Sequence, residues 1–317
     1  METAAVASEP LLFVGGDPPP VRCVTIDVEE YFHIEAAHGR LSREEVGRLP
    51  RRAEAAMDTL LELFDRCDVR ATLFFLAEVA RDRPDLVKRC HAAGHEIASH
   101  GSGHDRLHRL SPVALAGNLH GSRRRLEDLI GEAVLGYRAP TWSLTRETAW
   151  AVEVLAEAGF AYDASIFPVH HPQYGVASAP TRPYFLRGAD GGRVLEVPPL
   201  VYEWAGRNVA CAGGGWFRLM PPRLMRLGLR QARRQHRPAV LYFHPWEFDP
   251  EISRLPLGWI GHVRTYTGLK RSLDRLERIL TTFDAWSTIR ERLPELRAAA
   301  SRKPAFSLTE RKLQAAA

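Results

Sequence analysis

The run Val21-Arg22-Cys23-Val24-Thr25-Ile26-Asp27-Val28-Glu29-Glu30 joins a short apolar segment to three closely spaced acids. Val21–Ile26 is too short for a helix and rich in β-branched side chains, which predicts a buried strand. Its polar residues begin where that strand should end. The same arrangement recurs along the chain. Glu96–Ser99 runs into His100-Gly101-Ser102-Gly103-His104, Val134–Tyr137 into Arg138-Ala139-Pro140, and Ala239–Phe243 into His244-Pro245-Trp246-Glu247. Val69–Leu76, Phe160–Phe167 and Val194–Val197 read as further strands. Helical periodicity separates them, over Arg52–Cys67, Glu78–Ala93, Pro112–Ile130 and Thr145–Ala158, with a last amphipathic helix over Leu269–Phe283. Strands alternating with helices over short connections imply parallel pairing with helical crossovers. The expected fold is therefore α/β, a distorted and incomplete (β/α) barrel with parallel strands.

The chain has 317 residues, 45% hydrophobic and 26% charged, which excludes a disordered, collagenous or coiled-coil protein. With neither a repeat nor an internal linker, one domain is expected over 21–290. It follows a flexible lead-in over 1–20 and precedes a tail over 291–317, Ala/Lys/Arg-rich and frayed from about Glu295. Residues 168–220, rich in Gly, Pro and aromatics, read as long loops over one face. Lys and Arg exceed Asp and Glu by 43 to 38. No basic block is long enough to argue for nucleic acid, and Arg123–Arg125 and Arg233–Arg234 read as exposed helix faces. The four cysteines are scattered without a C-x-x-C pair, so neither a disulfide framework nor a zinc–cysteine site is expected. The first twenty residues lack the basic start and apolar core of a signal peptide. No stretch is apolar enough for a membrane span. A cytoplasmic protein is expected, one able to work at the inner membrane face.

In a (β/α) barrel the C-terminal strand ends meet at one face, where active sites sit. His100 and His104 with a carboxylate would make a two-His, one-carboxylate metal site with positions left open for water and substrate. Asp27 and Glu29 share one face of an extended backbone, so one could hold metal while the other acts as base; as plain acids they could equally be helix caps or salt-bridge partners. Arg138 suits a partner that keeps a catalytic carboxylate ionised, or an ordinary surface arginine. His244 suits an acid for a leaving group, or a satisfied core histidine.

These residues resemble the polysaccharide deacetylases with the NodB homology domain, carbohydrate esterase family four. The likeness covers about Val21 to Trp286. Val24–His33 stands where that family has its first motif, T-F-D-D, here in a D-x-D/E form. Gly94–His104 matches H-[ST]-x-x-H, Gly136–Pro140 matches R-x-P, and Glu196–Leu200 and Val240–Glu247 match the later motifs. Asp27–Phe32, Ala98–Gly101, Gly136–Ala139, Gly213–Arg218 and Leu241–Glu247 further resemble the deacetylases of exosortase and exopolysaccharide loci.

The resemblance implies a NodB-type barrel and roles at matched positions. Asp27 would be the base, with Arg138 its partner. Glu29, His100 and His104 would hold a divalent metal, expected to be Zn²⁺. His244 would be the acid, Thr141 the backbone oxyanion donor, and Trp216 and Trp246 the walls of a sugar groove. Two departures stand out: Thr141 replaces the aromatic residue that often follows R-x-P, and Glu29 replaces an aspartate, with Glu30 the next candidate ligand. The implied reaction is N-deacetylation of a glycan in bacterial exopolysaccharide production, the protein being peripherally associated with an assembly complex. The competing readings are a small-amide hydrolase on the same scaffold, a catalytically dead carbohydrate-binding module, and a metal-free structural protein.

Overall fold

The first strand is buried along its whole length, as its β-branched run requires, and it lies between two parallel neighbours. A computed structural model describes residues 21–310. The strands are β1 (Arg22–Val28), β2 (Thr72–Phe75), β3 (Glu96–Ser99), β4 (Gly136–Tyr137), β5 (Tyr162–Asp163) and β6 (Tyr184–Arg187). They continue with β7 (Arg193–Glu196), β8 (Val201–Trp204), β9 (Arg207–Ala210), β10 (Ala239–Phe243), β11 (Trp286–Ser287) and β12 (Phe306–Ser307). The main sheet runs β10-β1-β2-β3-β4-β5-β7-β6-β12, with β11 also paired to β1. Every pairing in it is parallel except the β6–β7 hairpin. Among the described residues the ladder does not close between β10 and β12, so the barrel is incomplete, as expected.

Parallel strands are covered on both faces, which is why they read as continuous apolar runs. On one face Val24, Ile26, Leu73 and Ile97 join the large core packed against helices such as Ala53–Arg66 and Pro112–Ile130. On the other face Cys23, Phe74, Ala98 and Val240 form a second cluster with Ile289, Leu296 and Ala300. Asp27 shares the side of Cys23 by the two-residue period of a strand.

That second cluster corrects the reading of the C-terminal segment. Instead of fraying from Glu295, the chain forms a helix over Ile289–Ser301, opened by a reciprocal cap between Thr288 and Glu291. Leu296 and Ala300 recur at helical spacing and are buried, and β12 then adds to the sheet beside β6. The boundary read at 290 thus falls inside a packed helix. The lead-in over 1–20 and the last residues, 311–317, lie outside the described residues.

Other expectations shift for local reasons. Pro84 removes a backbone donor, so the single helix read over Glu78–Ala93 is two, Ala77–Asp82 and Pro84–Ala92. The helix read from Thr145 begins at Ala151. Strands read over Val134–Tyr137 and Phe160–Phe167 shorten to two residues each. The segment 168–220 is more ordered than long loops: it holds the β6–β7 and β8–β9 hairpins and the helix Gly214–Leu219. Two further helices, Pro222–Arg234 and Trp259–Tyr266, complete that side. No helix among the described residues is long and apolar enough to cross a membrane.

Candidate active site

The C-terminal ends of β1, β3, β4 and β10 deliver Asp27, His100, Arg138 and His244 to one place, joined by Glu29, His104 and Thr141. A cavity of about 310 Å³ opens there, lined among others by Asp27, Glu29, His100, His104, Thr141 and His244. Parallel strands in register explain the convergence: Asp27 pairs with Phe74, and His100 donates its backbone N–H to Phe75 O.

Glu29, His100 and His104 each offer a ligand atom, and these atoms lie within 4.8 Å of one another. Glu29 Oε2 comes within 2.8 Å of His104 Nε2. The two do not align as a hydrogen bond, and Glu29 Oε2 has no other protein partner. Beside Glu29 the His104 ring is pushed toward its protonated form, and a cation shared by the two would take the place of that proton. His100 Nδ1 meets Arg138 O at 2.8 Å, which turns Nε2 toward the cavity. Burial, more than any neighbour, lowers the His100 pKa to about 4, so the ring is neutral, as a ligand must be. Burial alone would raise the Glu29 pKa, but the charge of His104 and its close approach outweigh it and hold the carboxyl well below the usual range. Glu30 turns the other way: its carboxylate accepts the Arg52 and Ala53 N–H groups at the start of the Ala53–Arg66 helix. That cap leaves no role for Glu30 as the alternative ligand.

Asp27 Oδ1 accepts from Arg138 Nη1 at 2.5 Å, and both side chains are almost fully buried. Arg138 is itself fixed by Thr25 Oγ1, by Ala164 O and by the ring faces of Phe74 and Trp142. The free oxygen, Asp27 Oδ2, faces His244 Nε2 at 3.9 Å. His244 Nδ1 meets Glu247 Oε1 at 2.8 Å, and Glu247 Oε2 accepts from Arg218 Nε at 2.9 Å. Burial would lower the His244 pKa. The Glu247 hydrogen bond, with the charges of Glu29, Glu247 and Asp27, more than reverses this and raises it to about 9. His244 is therefore protonated at neutral pH.

Thr141 and the next residue, Trp142, both take left-handed backbone conformations, at φ 55° and 52°. Non-glycine residues rarely do so, and such strain clusters at functional sites. Among the described residues the Thr141 N–H meets no protein acceptor.

The two tryptophans differ. Trp216 lines the cavity and is 37% exposed at its rim. Trp246 also lines it but is nearly buried; its indole N–H donates to Glu29 Oε1 at 3.1 Å and its ring stacks on His244. Trp246 thus orients two site residues more than it walls a groove. Gly213 lies directly against β10: a Cβ there would fall 1.5 Å from Tyr242 O, so only glycine allows the approach. Glu247 and Arg218 received no role from sequence, although both sit in the quoted motifs. The i, i+3 spacing of His244 and Glu247 was the available signal for the first; nothing local pointed to the second.

Two family matches divide the chain. Residues 49–162 match the polysaccharide deacetylase family. That likeness covers about a third of the chain. Residues 164–293 match a domain of unknown function, DUF3473. The family's match ends one residue before Asp163, so His244 and Glu247 come from the second region, while Asp27 and Glu29 precede the first.

A peptidoglycan deacetylase of Helicobacter pylori is 27% identical over 171 residues, covering 52% of this chain and 52% of that protein. The chain thus spans about half the length of this curated relative. The two matched regions together share a fold with a crystal structure from Mycobacterium smegmatis, provisionally described as a polysaccharide deacetylase. The TM-score is 0.63 at 21% identity, over 96% of this chain and 99% of that one. The crystal structure of Puue allantoinase is also similar, with a TM-score of 0.56 at 16% identity over 93% and 98%. At these identities the likeness concerns the fold.

Proposed function

We propose that this chain is a metal-dependent hydrolase that removes N-acetyl groups from a glycan, in the production of a bacterial exopolysaccharide. The observation that carries the reading is the opposition of two proton carriers across a prospective metal site. The Asp27 carboxylate is locked by Arg138, and the His244 imidazole faces it beside Glu29, His100 and His104.

Glu29, His100 and His104 would hold the ion, expected to be Zn²⁺, which when bound supplies a Lewis acid that acidifies a water and polarises a carbonyl. Asp27 Oδ2, free of Arg138, takes the proton of the attacking water. Arg138 holds that carboxylate in place through the other oxygen. The Thr141 N–H, presented by the strained turn, faces the charge that develops on the acetyl oxygen, a contribution worth about 3–4 kcal/mol where single donors of this kind have been removed. His244 gives its proton to the departing amine, which leaves poorly until protonated. Trp216, at the open rim, offers a stacking face for a sugar.

The test is acetate release from N-acetylglucosamine oligomers together with bound-metal analysis. The parent should hold about one ion and release acetate. His100→Ala should lose the ion. Asp27→Asn should keep it and lose activity by about 10²–10⁴-fold, the usual worth of a general base. Metal without acetate release would move the substrate to small amides. A parent that binds no metal after reconstitution would refute the hydrolase reading and favour a carbohydrate-binding module.

A further inference from the structure

The helix Pro222–Arg234 carries Arg223, Arg226, Arg230, Arg233 and Arg234 and no acid. These five charges equal the excess of the whole chain, whose formal net charge is +5. At 3.6 residues per turn all five, with Leu227, fall within an arc of about 120°. The opposite arc holds Met225, Gly228, Leu229 and Ala232, all buried against the body of the protein. Among the described residues none of the five arginines forms a salt bridge. Elsewhere arginines such as Arg89, Arg123 and Arg290 are matched by acids and others, such as Arg43 and Arg278, are not; what sets this helix apart is five unmatched arginines in one arc. Leaving five like charges side by side is unfavourable in isolation. A partner of opposite sign relieves it.

We propose that this helix face docks the protein onto an anionic phospholipid surface. The face is the outside of a helix about 20 Å long, convex rather than a groove. A single glycan or nucleic-acid strand is tracked by a positively charged groove, whereas a convex arc of arginines meets a plane of headgroup phosphates. Leu227, 44% exposed in the middle of the arc, and Leu219, 41% exposed just before the helix, supply apolar side chains for shallow insertion between headgroups. The helix's own apolar side is already buried in the protein, so attachment is electrostatic and reversible. The preceding helix, Gly214–Leu219, contributes Trp216 and Arg218 to the lining of the catalytic cavity. Docking would therefore hold that cavity close to the membrane surface. It requires nothing of the reaction itself.

The experiment is co-sedimentation of the full chain with vesicles of phosphatidylcholine alone or with 30% phosphatidylglycerol. The expected result is binding to the anionic vesicles only, weakening as salt rises. The variant R226Q/R230Q/R233Q/R234Q should bind them more weakly by on the order of a hundredfold or more. A matching R→K variant should retain most binding, and the pairs R226Q/R230Q and R233Q/R234Q should each lose part of it should the fourfold variant fail to fold. No binding to anionic vesicles overturns the proposal, as does undiminished binding by folded Gln variants. Binding of a soluble polyanion such as heparin, with no vesicle binding, would assign the face to a polymer and equally overturn it.

Discussion

Glu247→Gln tests the protonation of His244 directly. Glu247 is buried, accepts from Arg218 Nε at 2.9 Å, and meets His244 Nδ1 at 2.8 Å. Its hydrogen bond is the largest influence holding the His244 pKa up at about 9. A glutamine keeps the shape and one acceptor but removes the charge. His244 should then fall at least to the ordinary value of about 6.5. An acid works only while protonated, so the loss must depend on pH. At pH 8 the protonated fraction drops from about 0.9 to about 0.03, a loss of roughly 30-fold. At pH 6 both forms remain mostly protonated, and the loss should be less than about twofold. The assay is kcat/KM for acetate release from pH 5.5 to 9.5, together with the NMR titration of the His244 ring. Because Arg218 loses its partner ion, a stability cost of about 3–5 kcal/mol is also expected. Folding at each pH must therefore be checked by circular dichroism. A loss of equal size at every pH, or a ring titration unchanged from the parent, would refute the assignment of His244 as an acid held protonated by Glu247.

Other expectations follow from groups away from the chemistry. His95 is buried and its Nδ1 accepts the Ala71 N–H at 3.1 Å; burial lowers its pKa to about 4. The unfolded chain therefore takes up that proton first as pH falls below about 6.5, and stability declines through the window from about 6.5 to about 4. Urea unfolding at pH 7 and 5 should show about 2 kcal/mol of this loss in the parent. It should be absent from His95→Asn, whose Oδ1 can still accept from Ala71; parallel losses in both proteins would discount it. Leu296→Ala should cost about 2–5 kcal/mol, since the side chain is buried beneath the sheet. A change within about 0.5 kcal/mol would mean that the C-terminal helix does not pack as described.

The parallel α/β class and the ring of polar side chains at the strand ends were legible because each signal is local. A short strand that ends in an acid, a histidine or an arginine shows in a handful of residues, and Asp27, His100, Arg138 and His244 each follow such a strand. The C-terminal helix was not legible, because an Ala-rich segment with few large apolar residues is separated from a frayed end only by what its Leu296 and Ala300 touch. The hairpins within 168–220 were hidden for a similar reason. β7 and β8 bury some positions against distant elements, and no alternation survives over four residues. Glu30 and Glu29 are chemically equivalent in sequence, and only their opposite directions after β1 separate a helix cap from a site carboxylate.

The sequence by itself determined the class of fold, the acids, histidines and arginine that follow its strands, and the end of the sheet at which they gather. Periodicity and residue chemistry are properties of short segments, and parallel strands with helical crossovers leave one face for the strand ends. Only the tertiary structure decided which groups act on which. Arg138 reaches Asp27 across 111 positions of sequence, Trp246 reaches Glu29 across 217, and Arg218 reaches Glu247 across 29. Such pairings depend on where separate strands and helices are packed. The charges and burial they bring set the protonation of His100 and His244, which no segment carries alone.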